Sequence, residues 1–503
     1  MEVPQQPLEG STLVLLTLAL ALASFMQLLD TSIANVSIPA IAGDLAASPN
    51  QGTWVITSFT VSNAIAMPLT GWLSRRFGEV RVFVFATALF TLASGLCGLA
   101  PNLGLLIAAR VMQGAFAGPM IPLSQSLLIS SYPPERKTFA LSLWSMTVVV
   151  APIMGPIMGG WITDNFSWPW IFYINLPVGL LAAFLTWQAL RDRESAIVRQ
   201  PIDTIGLMLL IVSVGALQIM LDKGNEMDWF ESSEIVVLGL VALLGLIFFV
   251  VWELTEQHPV VDLHLFSGRN FFIGSLVFSL GYMAFFANIV ILPLWLQTNM
   301  GYTATWAGLA TAPIGLLPLF LSTLLARHMH RSDPRLWATV AFGVFGATAY
   351  WFSGFNTDIA FSNIVIPRFI QGIGILTFFV PLTTLTLAGL PPQLMASAAG
   401  LMAFTRFVAA SIGVSLSIAY WEHRTAYHHS TLVENATPYS PVTADTLSAA
   451  QSVGFDATTG LTMIDRMAHQ QAVMLATNDF FLVSAGIFVV LMFSVWFARA
   501  PKA

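Results

Sequence analysis

The stretch Arg110-Val111-Met112-Gln113-Gly114 returns as Arg368-Phe369-Ile370-Gln371-Gly372, at an offset of 258 positions. The same offset carries Pro133-Pro134 onto Pro391-Pro392 and Gly155 onto Gly413. A second register, shifted by 252, pairs Trp54 with Trp306 and Arg75 with Arg327. A chain that repeats itself over such a distance is built from two copies of one large unit. Both copies of the pentapeptide lie in long apolar runs, so the nature of those runs decides the fold.

Of 503 residues, 56% are hydrophobic and only 9% are charged, where a soluble domain carries about a quarter. Apolar runs recur at 13–38, 53–73, 82–100, 103–128, 139–163, 169–190, 204–222, 235–253, 271–296, 305–326, 336–354, 361–388, 396–420 and 480–498. Runs of about 20 residues cross about 30 Å of hydrocarbon. They must be helical, because an open strand leaves its backbone unsatisfied in lipid. The expected fold class is therefore an all-α polytopic membrane protein with fourteen transmembrane helices. Spans 1–6 repeat as spans 9–14 in the same orientation, as in parallel repeats related by an axis along the membrane normal. The expected organisation is an N-terminal six-helix bundle over 1–200 and a two-helix insertion over 201–260. A C-terminal six-helix bundle over 261–503 follows, with a long loop at 421–479. The first run has no Lys or Arg before it, and Gln27 and Asp30 interrupt it. It reads as a retained span rather than a cleaved leader.

An even span count puts both termini on one side. With that side cytoplasmic, its segments hold fourteen of the twenty Lys and Arg residues, against three on the other side (Lys223, Arg424 and Arg466). The positive-inside rule favours this placement. The net charge of -6 is spread over many loops, no basic cluster points to nucleic acid, and the single Cys97 excludes an intrachain disulfide. No HExxH, GxSxG, Walker sequence or intramembrane histidine is present, so neither an enzyme nor an ATP-driven pump is expected. The doubled six-helix plan points to alternating access rather than a channel.

Further motifs carry a family resemblance. Leu29-Asp30-Thr31-Ser32-Ile33-Ala34-Asn35-Val36, followed by Ile38-Pro39, resembles the first-span signature of EmrB/QacA-type fourteen-span drug:proton antiporters of the major facilitator superfamily. Arg110-x-x-Gln113-Gly114 resembles the fourth-span motif, and Gly155-Pro156-x-x-Gly159-Gly160 the fifth-span antiport motif. Gln51 to Phe59 and Pro122 to Leu127 are most similar to EmrB-type pumps of Gram-negative bacteria. The resemblance implies the major facilitator fold and residence in the inner membrane. It also implies proton-driven efflux of hydrophobic or amphipathic toxic compounds, with no cofactor beyond the proton motive force. Implied partners are a periplasmic membrane-fusion adaptor (EmrA-like) and an outer-membrane channel, as parts of a tripartite export system. A dedicated exporter of one metabolite, such as a fatty acid or siderophore, is the alternative. The loop Gly71 to Arg81 departs from the superfamily pattern, with Arg75 where an acid usually stands.

Asp30 is the only carboxylate well inside a predicted span. Such groups are costly in hydrocarbon and usually line a cavity. Burial favours the neutral form of a carboxylate and a nearby cation the charged form, which suits proton coupling. Asp30 lies nine residues before Pro39, and Arg110 eight after Asn102. At 1.5 Å per residue both sit about 12–14 Å below the same edge. A contact between them is expected, serving either proton coupling or a static link between two helices. Gln27 and Gln113, each three residues from one of these, either extend the polar site or simply bond neighbouring helices. Arg406 lies mid-span, to attract an anionic substrate or to bind backbone carbonyls. Arg368 reads as the structural copy of Arg110. Candidate pocket residues are Asn288, Phe25 and Phe404, with Met26, Trp295 and Phe378 behind them. Ala151, Gly155, Gly159 and Gly160 form a small-residue stripe for close helix approach, with Pro152 and Pro156 as bending points. His423, His428 and His429 in the long loop lack a Cys or carboxylate partner at ligand spacing, so no metal is expected. By resemblance the loop touches the adaptor; the plainer reading is a connector.

Overall fold

The computed structural model describes residues 8–499, apart from 48, 134–135, 199–200, 319, 322–331, 435–436, 438–439 and 454. Each of the fourteen apolar runs holds helix among its described residues. In chain order these are α1 (Gly10–Asp44), α2 (Trp54–Ala66 and Thr70–Phe77), α3 (Glu79–Gly98), α4 (Leu103–Ala117 and Met120–Ser131) and α5 (Lys137–Asn165). Next come α6 (Trp170–Tyr173 and Asn175–Leu190), α7 (Thr204–Lys223), α8 (Ser233–Thr255), α9 (Arg269–Thr298) and α10, which begins as Ala304–Thr311 and tightens into a 3₁₀ turn. The last four are α11 (Pro334–Phe352), α12 (Phe361–Leu387), α13 (Met395–Val433) and α14 (Ala457–Ser494). Ten helices among the described residues are long and apolar enough to cross a membrane by length and composition.

Local chemistry sets the helix ends. Asn102, Asp203, Thr303, Asp333 and Asp456 each accept a backbone N–H of the first turn of the following helix, satisfying one of the orphan donors there. Of the runs expected to be continuous, α6 opens at Ile174 and two others break at a proline. α2 opens at 67–69 around Pro68 and α4 at 118–119 around Pro119, since proline removes a backbone donor and clashes with the preceding turn. The ends of α13 and α14 also differ from expectation. α13 runs on to Val433, and α14 already begins at Ala457, so much of the expected loop 421–479 is helical. Nothing helix-breaking intervenes at either junction, so the two helices project together beyond the membrane-crossing stretch as a hairpin.

Packing follows the repeat. In the first half α1 lies against α5 and α6, α2 against α4, and α3 against α4 and α6. In the second half α9 lies against α13, α12 and α14, and α11 against α12 and α14. The halves meet where α5 touches α10 and α12, and where α2 and α4 touch the start of α13. α7 packs on α2 and also reaches α13, while α8 packs on α7. Val237, Leu240, Leu244, Phe248 and Val251 of α8 are exposed. Such a face is stable only against lipid.

Candidate functional site

The site starts with two side chains that burial should forbid. Asp30 on α1 and Arg110 on α4 are both fully buried, and Arg110 Nη1 donates to Asp30 Oδ2 at 2.5 Å. Taking either charge out of water alone costs several kcal/mol, so the remaining lone pairs and protons must be met as well. They largely are. Gln113 Nε2 and Asn175 Nδ2 donate to Asp30 Oδ1 at 3.0 and 2.9 Å. Arg110 Nε donates to the Val55 carbonyl at 2.9 Å and Nη1 also to Gln113 Oε1 at 2.7 Å. The guanidinium carbon stands 4.2 Å from the centroid of the Phe59 ring, in cation–π range. Arg110 Nη2 has no hydrogen-bond partner among the described residues. Four helices, α1, α2, α4 and α6, thus converge on one ion pair.

Backbone geometry lets them converge. A Cβ on Gly114 would overlap Ser62 Oγ and the Phe59 carbonyl, so only glycine lets α4 lie this close to α2. On the far side of α1, a Cβ on Gly155 would overlap Ser32 Oγ, and one on Gly159 would come 2.7 Å from the Ile33 carbonyl. The fifth-span stripe is therefore pressed onto α1 within one turn of Asp30. Gly160 is half-buried in the same helix, while the side chains of Pro152 and Pro156 lie outside the described residues.

The second half repeats the Arg–Gln pair of this cluster but not its carboxylate. Arg368 Nη1 donates to Gln371 Oε1 at 2.7 Å, as Arg110 does to Gln113. Its Nη2 reaches the Asn288 carbonyl at 3.3 Å. Asn288 is Asp30 displaced by the repeat offset, and its Nδ2 donates to Ala284 O and Ser484 Oγ at 2.7 and 2.8 Å. The carboxylate of one half is a neutral amide in the other. Asn288 is buried inside its bundle, with Nδ2 engaged on α9 and α14 and Oδ1 without a partner among the described residues.

The remaining predicted residues scatter. Gln27 is buried, and its Oε1 has no partner among the described residues. Arg406 on α13 is also buried; it donates from Nε to Met402 O at 3.3 Å, with its guanidinium carbon 4.5 Å from the Phe278 ring centroid. Phe25 and Phe404 are half-buried against the two cores. Met26, Trp295 and Phe378 are wholly enclosed, Phe378 within an aromatic cluster with Phe278, Phe285 and Phe345. In the hairpin, His428 and Arg424 both bond Asp479, and His429 faces Asp465. His423 is exposed.

Four participants are not singled out by the sequence. Val55 contributes only a carbonyl, which no residue type announces. Asn175 and Ser94 bond each other at 3.0 Å behind Asp30; two polar residues in apolar runs were the available signal. Glu194, in the α6–α7 linker, accepts Val80 N and Arg81 N at 3.0 Å. It thereby brings a carboxylate to the turn where Arg75 replaced the usual acid, while Arg75 Nη1 donates across the halves to Ser397 Oγ at 2.8 Å.

Known proteins agree with this architecture. A sequence model described as Major Facilitator Superfamily matches residues 20–414. The chain is 49% identical over 495 residues to "Fatty acid resistance protein FarB" of Neisseria gonorrhoeae, covering 98% of each chain. It is 50% identical over 498 residues to "Multidrug export protein EmrB" of Escherichia coli (strain K12), covering 99% of this chain and 97% of the relative. Among solved structures, the proton:xylose symporter XylE superposes with a TM-score of 0.61 at 14% identity, over 98% of this chain and 97% of its own. That likeness concerns the fold alone.

Proposed function

From the premise that this chain belongs to the Major Facilitator Superfamily, we propose that it exports hydrophobic and amphipathic compounds across a bacterial inner membrane in exchange for protons. Both termini are cytoplasmic in this reading, and the α13–α14 hairpin faces the periplasm, where an EmrA-like adaptor and an outer-membrane channel complete the path. The relative named as a multidrug exporter supports the substrate class. The single observation that carries the coupling is the Asp30–Arg110 pair, present in one half and answered by Asn288–Arg368 in the other.

The chemistry follows from the geometry. With Asp30 ionised, Arg110 ties α4 to α1 and, through Val55, to α2. A proton arriving at Asp30 Oδ2 removes the charge that Arg110 faces. Arg110 keeps Val55, Gln113 and the Phe59 ring, much as Arg368 keeps Gln371 and Asn288. Breaking a buried pair while leaving one charge uncompensated costs about 3–5 kcal/mol, enough to shift a two-state equilibrium strongly. Proton release on the opposite side restores the tie. Small residues at 155 and 159 let α1 and α5 move as one packed unit during the change.

A second reading has its own observation. Arg406 is a buried cation without a carboxylate partner among the described residues, set against Phe278 and Tyr282. Such a site favours an anionic amphiphile, and one relative is named for fatty acid resistance. The deciding experiment is pH-gradient-driven transport in proteoliposomes, with ethidium and oleate as alternative cargoes. Asp30→Asn should abolish gradient-driven movement of whichever cargo is carried, with the protein still folded. Full gradient-driven transport by that variant would remove the coupling role.

A further inference from the structure

A pocket of about 470 Å³ lies at the base of the α13–α14 hairpin, beside the C-terminal end of α9. That size suits a small organic ligand. Trp421, Glu422 and His429 line it from α13, His469 and Val473 from α14, and Asn299 from the end of α9. Positions 422 and 429 are about two helical turns apart, and 469 and 473 about one, so each helix of the hairpin turns one face to the pocket.

Most of the walls are already tied into the fold. Trp421 Nε1 donates to Thr477 Oγ1 at 2.9 Å, which pins the indole across the two helices. His429 Nε2 lies 3.0 Å from Asp465 Oδ1, and its ring centroid stands 5.8 Å from that of His469. Asn299 Nδ2 donates to the Gln470 carbonyl at 3.2 Å, holding the end of α9 on α14. Glu422 is the exception. It is exposed, and its carboxylate has no hydrogen-bond or ion-pair partner among the described residues. Arg424 stands two positions along α13, off the face that carries Glu422, and it is spent on Asp479 together with His428. Glu422 is thus the one permanent charge among the residues that line the pocket.

We propose that this pocket binds a flat aromatic organic cation, with the positive charge at Glu422 and the ring system against Trp421. An indole ring attracts a cation through its quadrupole, and an unpaired carboxylate beside it adds a direct charge attraction. The two imidazoles and Val473 supply further flat or apolar wall. An anion of the same shape would meet Glu422, and Asp465 behind His429, as like charges. The pocket shares no lining residue with the Asp30–Arg110 pair or with Arg406. Binding here does not depend on the export reading; only the placement on the periplasmic side follows from the proposed orientation. On that side the pocket would meet a cationic cargo after the membrane step.

The test is photolabelling of the detergent-solubilised full chain with ethidium monoazide, read by peptide mass spectrometry. In wild type the label should fall saturably on segments 421–429 or 469–473, and excess ethidium should displace it. Glu422→Gln should need about tenfold more dye for half-labelling, and Glu422→Asp should recover part of that loss. Trp421→Leu should lose about as much, and Trp421→Phe less. An uncharged phenanthridine of the same ring system should compete about tenfold less well than ethidium. Because Glu422 is exposed, its substitution leaves the fold in place, which thermal unfolding in the same detergent checks. Wild type without label on either segment would overturn the proposal. So would half-labelling unchanged by Glu422→Gln, or equal competition by the uncharged compound. Gradient-driven ethidium transport reports on the export reading separately, and Asp30→Asn should still be labelled on the hairpin when that transport is lost.

Discussion

Arg110 meets four partners with one side chain, and that geometry is specific to a guanidinium. Its Nε takes Val55, Nη1 takes Asp30 and Gln113, and its face lies on Phe59. A lysine offers a single point charge and cannot satisfy a fork and a ring together. Arg110→Lys should therefore lose most transport despite keeping the charge, as measured by initial rates in proteoliposomes. Stability should separate the two ends of the pair. Arg110→Ala leaves a buried carboxylate facing a cavity and should cost about 3–5 kcal/mol. Asp30→Asn should cost clearly less, because the second half already holds Asn288 beside Arg368. Thermal unfolding in detergent checks the order, and a larger loss for Asp30→Asn would contradict it.

At the scale of elements, α1 and α5 touch where neither can give. Gly155→Ala places a methyl group on Ser32, and overpacking of this kind costs about 1–3 kcal/mol. Ser32→Gly removes the obstructing side chain, so the double variant should regain transport that Gly155→Ala loses. Gly159→Ala meets the Ile33 carbonyl instead, and no side-chain change on α1 should rescue it. The start of α11 allows a prediction in pH. Hydrogen bonds from the Arg335 guanidinium hold the Asp333 carboxyl below the usual carboxylate range. A carboxylate depressed in the fold stabilises above its unfolded value near 3.9, and the contribution fades as pH falls through the lower folded value. Amide exchange in the first turn of α11 should therefore accelerate as pH drops below about 4, after correction for intrinsic rates. Asp333→Ala, which also loses the cap, should cost about 1 kcal/mol and show no such step.

Across the whole molecule, α7 spans the line between the halves at the end remote from the termini. Thr57 and Thr53 of the α2 region bond Asp222 and Lys223. On the other side, Ser415 Oγ of α13 donates to the Leu221 carbonyl at 2.5 Å. An inserted helix that grips both bundles restrains how far they part on that face. Replacing Leu221 and Ser415 by cysteines should allow a short bifunctional crosslink, since the native Cys97 is buried. If the halves rock, the crosslinked protein should stop transporting and recover when the link is cleaved. Unchanged transport after complete crosslinking would mean that α7 travels with α13.

The sequence by itself determined the membrane setting, the helices, the doubled plan and the identity of the buried charges. Each is a local property, carried by hydropathy over about 20 residues or by a motif read against its own repeat. Even the matched depth of Asp30 and Arg110 was legible, because helical rise converts position into height. The offset of 258 that relates Arg110 to Arg368 also carries Asp30 onto Asn288. What surrounds the pair was decided only by tertiary structure. The Val55 carbonyl, Asn175 and Ser94 are far apart in the chain and are gathered because Gly114 lets α4 close on α2 and Gly179 lets α6 close on α3. The return of Glu194 to the α2–α3 turn depends on how a linker folds back, and no periodicity encodes that. The breaks in α2 and α4 arise where proline meets packing. Local patterns state which groups enter the membrane; only the approach of distant segments decides which of them meet.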